Sequence, residues 1–205
     1  MLFALATFTL AAVLIILVPG PDTLVVLRSI VRGGRAHGWT TAIGVLTGLA
    51  AWVMVAALGL AAVLRASTVA YDVLRIAGAG YLTWLGIQSL RAVRRPPAAD
   101  EPHRRKGLVG TGFTAGFVTD LLNPKVGVFF VTFLPGFVPH GYPVGVTSLL
   151  FGAVFVLLTL SYFVVLLTFV ARLTSWMTTP RVRRRLDAIT GSVLVGFGVR
   201  LAAES

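Results

Sequence analysis

Three charged side chains stand inside otherwise apolar sequence, each beside a helix breaker. Asp22 follows Val18-Pro19-Gly20-Pro21, Lys125 follows Leu122-Asn123-Pro124, and Asp120 lies one turn before that second break. Proline lacks an amide donor and glycine tolerates unusual backbone angles, so both stretches interrupt a helix. At membrane depth the freed backbone groups are tolerated only where protein or a water-filled cavity satisfies them. Each break also exposes a helix N-terminus, which is electropositive. An acid in one break and a base in the other suit a zwitterionic ligand. Asp22 would take an ammonium group or exchange protons, Lys125 would pair with a carboxylate or with Asp22 when the site is empty, and Asp120 is a second intramembrane acid. The substrate-binding candidates are therefore Pro19, Gly20, Pro21, Asp22, Asn123, Pro124 and Lys125, with Asp22 and Asp120 as proton-coupling candidates. The competing readings are structural. Asp22 would be an N-cap near the interface, Lys125 would snorkel to the outer headgroups, and Asp120 would be a cap or a partner of Lys125.

The elements that hold these residues are apolar runs. Of 205 residues, 57% are hydrophobic and only 12% are charged, against roughly 25% charged in a soluble domain. Six runs approach or exceed the roughly 20 residues that cross a bilayer as helix. They are Leu2–Val18, resuming after the break as an amphipathic Asp22–Arg35; Thr40–Leu64; Thr68–Leu90; Leu108–Leu122, resuming as Val126–Phe137; Val144–Ala171; and Leu186–Ala203. The runs are continuously apolar instead of alternating, which disfavours spanning strands. No Lys or Arg precedes the first run and no small-x-small site ends it, so it reads as a span and not as a cleaved signal. The segment 91–107, with Pro96, Pro97 and Pro102 among mixed charges, reads as a flexible loop.

The net charge of +11 follows topology. All but four of the 18 Lys and Arg residues fall in the first, third and fifth connections, near Arg28–Arg35, Arg91–Lys106 and Arg172–Arg185. This bias places those loops in the cytoplasm and both termini outside. It accounts for the basic balance without nucleic acid.

The two broken segments also resemble each other. When Pro21 is aligned with Pro124, His37 meets His140, Gly38 meets Gly141 and Trp39 meets Tyr142. Two three-span halves are inserted in opposite senses, because three is odd. Inverted repeats with broken helices build many secondary transporters. The expected fold is thus an all-α integral membrane protein of six helices in a single domain, 1–205. Residues 1–90 form one repeat, 91–107 the cytoplasmic loop and 108–205 the second repeat. Small residues at Gly44 and Gly48, and at Gly112 and Gly116, let helices approach closely, serving packing alone or, in the sharper reading, faces that slide during alternating access.

Pro-Gly-Pro-Asp at the end of the first span and G-F-V-T-D-L-L-N-P-K-V-G-V-F-F-V-T-F-L-P-G-F-V in the middle resemble the LysE/RhtB family of amino-acid exporters, as does R-I-A-G-A-G-Y-L-T-W-L-G in the third span. Pro19, Gly20, Pro21, Asn123, Pro124 and Lys125 match its signature positions. The resemblance implies an inner-membrane protein that exports amino acids or their derivatives with the proton motive force. Gly136 stands where the family commonly has glutamine, and Asp120 where relatives often carry asparagine.

Other chemistry is poorly supplied. The chain has no cysteine, so disulfides, thiol catalysis and thiolate metal sites are excluded. Its three histidines are spread along the chain, which disfavours metal transport. Only 7 acids exist, most of them in loops, which disfavours a membrane enzyme. No organic cofactor is implied. The sequence reading is a proton-coupled exporter of a small amino acid, with a passive channel or an exporter of another solute or metal cation as the alternative. Its partners are the substrate, protons and membrane lipids, and six short spans are compatible with a homodimer.

Overall fold

A computed structural model describes residues 1–66 and 110–169 continuously, with scattered positions between 69 and 91 and between 179 and 199. Helical residues are described in all six predicted spans, and no strand occurs among the described residues. The 91–107 loop lies outside the described residues, Arg91 apart.

Helix α1, Leu2–Leu17, is apolar on every side and ends at Val18, whose backbone is extended (φ −77°, ψ 115°). Pro19 and Pro21 impose that stop, because neither can donate a helical hydrogen bond. Helical structure restarts at Pro21, where a missing N–H costs nothing, and the second stretch, α2, covers Pro21–Ala66. It is broken internally at Gly33 (φ −142°, ψ 17°) and at Gly34 (φ 73°, ψ −172°). The sequence pattern predicts an amphipathic segment ending at Arg35 and a connection before Thr40. The chain instead turns on the glycine pair and is helical again from residue 35. Gly34 supplies the left-handed conformation that side chains resist. The turn folds 21–32 back on the start of 35–66, where the Thr41 hydroxyl reaches Ser29 Oγ at 2.8 Å.

The second half opens at Gly112 (φ 89°), followed by α3, Phe113–Leu121. The expected start of span four at Leu108 lies outside the described residues, and the helix described there begins at Phe113. Asn123 then caps the short helix α4, Pro124–Val128. The chain continues as a π-helical turn over Phe129–Phe133 and a tight 3₁₀ turn over Leu134–Phe137. Wide and narrow winding in succession distorts the resumed span instead of extending it as regular α-helix. Helix α5, Val144–Thr168, follows.

Phenylalanines knit these pieces together. Phe8 of α1 stacks on Phe151 of α5 at 4.8 Å and meets Phe137 edge-on at 5.4 Å. Phe129 in the π-helical turn packs on Phe155 at 4.9 Å. Ring pairs at such spacing add about 0.5–1.5 kcal/mol beyond area burial. The outward faces are apolar too, with Phe3, Leu10, Leu24, Leu58, Val146 and Leu157 all exposed. A helix that is apolar all round belongs in a large core or a membrane. Two described stretches, Pro21–Gly59 and Val144–Thr168, each contain an 18-residue apolar window suited to a bilayer, with mean hydropathy 2.0 and 2.6; in the first, the window lies in a stretch that turns at Gly33 and Gly34.

Close helix contacts run through small residues. A Cβ on Gly44 would lie 2.0 Å from the Phe113 carbonyl oxygen, and one on Gly116 would lie 2.0 Å from that of Thr41. Residues 35–66 and α3 thus touch backbone to backbone. Gly112 does something else: its N–H donates to Thr41 Oγ1 at 3.0 Å, and its positive φ starts α3. A second contact of this kind joins the third and sixth spans, where a Cβ on Gly86 would lie 2.7 Å from the Gly191 carbonyl oxygen.

Candidate polar site between the two helix breaks

The two breaks meet in space. Asn123 Nδ2 donates to Asp22 Oδ2 at 2.7 Å, while Asn123 Oδ1 accepts from the backbone N–H of Lys125 at 3.1 Å. One side chain thereby caps its own helix and holds the acid of the other break. An N-cap of this kind contributes about 1 kcal/mol.

Lys125 completes the clasp from the other direction. Its Nζ donates to the carbonyl oxygens of Ile15 at 2.6 Å and Val18 at 3.3 Å. These oxygens lie at the end of α1, where the helix leaves its last carbonyls unpaired and carries negative partial charge. A cation there satisfies backbone that the proline break has stranded. The headgroup-snorkelling alternative does not describe this geometry. Nor do Asp22 and Lys125 pair directly; no ion pair joins them within hydrogen-bonding range, because Asn123 takes the carboxylate and the carbonyls take the ammonium. The second carboxylate oxygen, Asp22 Oδ1, is buried without a hydrogen-bond partner.

These groups line a cavity of about 50 Å³. Gly20, Asp22, Asn123 and Lys125 belong to its lining, together with Thr23 of α2 and Thr159 and Tyr162 of α5. The rest of the wall is apolar, including Val45, Leu49, Phe155 and Phe163. Pro19, Pro21 and Pro124 are exposed and stand outside the lining. They shape the breaks instead of facing the cavity.

Asp120 is fully buried, at 0% exposure, and lies outside the cavity lining. Neither carboxylate oxygen has a hydrogen-bond partner. A Cβ on Gly48 would come within 2.6 Å of its Oδ2, so the glycine makes room for the carboxyl group. The Asp120 backbone carbonyl accepts from Trp52 Nε1 at 3.4 Å. It is neither the helix cap nor the Lys125 partner that its sequence position allowed.

The contribution of α5 was missed in the sequence. Thr159 and Tyr162 are spaced i, i+3 and so share a helix face. In a mostly apolar helix, that pair was one available signal, beside Thr147, Ser148, Ser161 and Thr168.

Comparison with known proteins decides the family. The profile of the LysE type translocator matches residues 13–205.

The chain belongs to the LysE type translocator family.

This translocator is a membrane transporter and not an enzyme. An uncharacterized membrane protein of Pseudomonas aeruginosa is 35% identical over 97% of the chain and 94% of its own length. A leucine efflux protein of Salmonella choleraesuis is 30% identical over 96% and 93%, and a threonine efflux protein of Salmonella typhi is 28% identical over 98% of both. No solved structure matches the translocator significantly.

Proposed function

We propose that the protein exports a small neutral amino acid across the inner membrane by proton-coupled alternating access. The observation that carries this reading is the convergence of Asp22, Asn123 and Lys125 in one cavity between two helix breaks. Asp22 has a carboxylate oxygen to spare for a substrate ammonium, and the Lys125 ammonium is placed to exchange a backbone carbonyl for a substrate carboxylate. The apolar wall then receives the side chain. The names of the threonine and leucine efflux relatives support an amino-acid cargo.

Alternating access follows from pseudosymmetry. Pro21 and Pro124 each open a helix immediately after a break, at aligned positions of the two proposed repeats. In an inverted pair, one packing serves both the inward and the outward opening around a central site. Asp22 and Asp120 are the proton carriers in this scheme, and the glycine contacts between residues 35–66 and α3 are where the helices shift. The basic loops lie in the cytoplasm and both termini outside.

The test is efflux of labelled amino acids from proteoliposomes, with and without a proton gradient. Movement that needs the gradient supports a coupled exporter, whereas equal flux without it supports a channel. Failure of every amino acid under both conditions rejects the reading.

A further inference from the structure

Two hydroxyl groups in the cavity wall are left over once Asp22, Asn123 and Lys125 are assigned to the charged ends of a substrate. Thr23 Oγ1 of α2 and the Tyr162 hydroxyl of α5 meet at 3.3 Å. Thr23 is only 4% exposed, and both residues line the cavity. The separation is long for a hydroxyl pair, whose usual distance is about 2.7–2.8 Å. Each hydroxyl carries one proton and two lone pairs. Their mutual bond uses one of the two protons. Apolar Val45, Leu49, Phe155 and Phe163 line the same cavity. The nearby Thr159 hydroxyl already donates to the Phe155 carbonyl oxygen at 2.9 Å.

We propose that Thr23 and Tyr162 read the substrate side chain, accepting its hydroxyl between them and so selecting a β-hydroxy amino acid over its methyl isostere. This rests on the exporter reading above. An inserted hydroxyl replaces one long contact with two hydrogen bonds, one donated and one accepted. A methyl group of the same shape supplies neither and separates the pair, leaving the buried Thr23 hydroxyl and the part-buried Tyr162 hydroxyl without each other. Sites that hydrogen-bond a substrate hydroxyl discriminate strongly against analogues that lack it.

Threonine and valine are the discriminating probes, because they differ by hydroxyl against methyl. Proteoliposome efflux of both is measured for the unmodified protein, Tyr162→Phe and Thr23→Val. The unmodified protein is expected to prefer threonine by about tenfold or more, and each variant to bring the ratio towards one. Tyr162→Phe removes a single oxygen and Thr23→Val conserves shape, so either variant suffices if the other does not insert. Equal rates in the unmodified protein, or a ratio unchanged by the substitutions, overturn the inference. If amino acids move with threonine and valine at parity, only this inference falls. If no amino acid moves at all, the exporter reading falls with it.

Discussion

Asn123 and Asp22 are joined by a 2.7 Å hydrogen bond that ties the break between α3 and α4 to the break between α1 and α2. They are 101 residues apart in the chain. The bond holds the acid in place while leaving its other oxygen available to a ligand. Asn123→Ala is expected to remove both this bond and the cap on α4, at a combined cost of about 2–3 kcal/mol. Thermal unfolding in detergent should show the loss. Asn123→Asp tests the two roles apart: it retains the cap but sets a carboxylate against Asp22, so transport should fall further than stability.

Asp22→Asn should abolish amino-acid efflux while leaving membrane insertion intact. The amide keeps the size of the side chain and removes the negative charge that the proposed site would offer an ammonium group. Near-normal efflux from correctly inserted protein would remove Asp22 from the site.

Lys125→Ala should abolish transport and also lower stability by about 1–3 kcal/mol, because the Ile15 carbonyl loses a partner in a place without water. Lys125→Arg retains a donor and is expected to recover stability more fully than transport, since the planar guanidinium does not reproduce a compact ammonium. Parallel melting and efflux measurements separate the two effects. Equal recovery of both would make Lys125 a structural cap alone.

Asp120→Asn should suppress net efflux driven by a proton gradient while permitting exchange of labelled for unlabelled substrate. The variant fits the same space beside Gly48 but cannot carry a proton. Gradient-driven efflux at the unmodified rate would exclude Asp120 from coupling.

Gly48→Ala and Gly116→Ala should each destabilise the protein by about 1–3 kcal/mol through overpacking. The added carbon would lie 2.6 Å from Asp120 Oδ2 in the first and 2.0 Å from the Thr41 carbonyl oxygen in the second. Gly59→Ala is the control: nothing lies within 4 Å of the added carbon, and alanine is the better helix former by about 1 kcal/mol. Melting temperatures should therefore move in opposite directions.

Much of this was legible in the sequence, for physical reasons. Long apolar runs have few homes other than a bilayer, so hydropathy located the spans. Proline and glycine act on their own backbone, so Pro19-Gly20-Pro21 and Asn123-Pro124 announced the breaks without help from neighbours. The order of the motifs along the chain carried the family. What the tertiary structure decided is who meets whom. Asp22 and Lys125 look like an ion pair on paper, yet each finds a partner of another kind, Asn123 for the acid and the α1 carbonyls for the base. Gly112 has the spacing of a packing residue but starts a helix with a positive φ. Tyr162 lies far along the chain from either break and enters the site only because α5 packs beside α2. Local backbone chemistry is written in the residues that cause it, whereas long-range pairing depends on how distant helices rotate and pack.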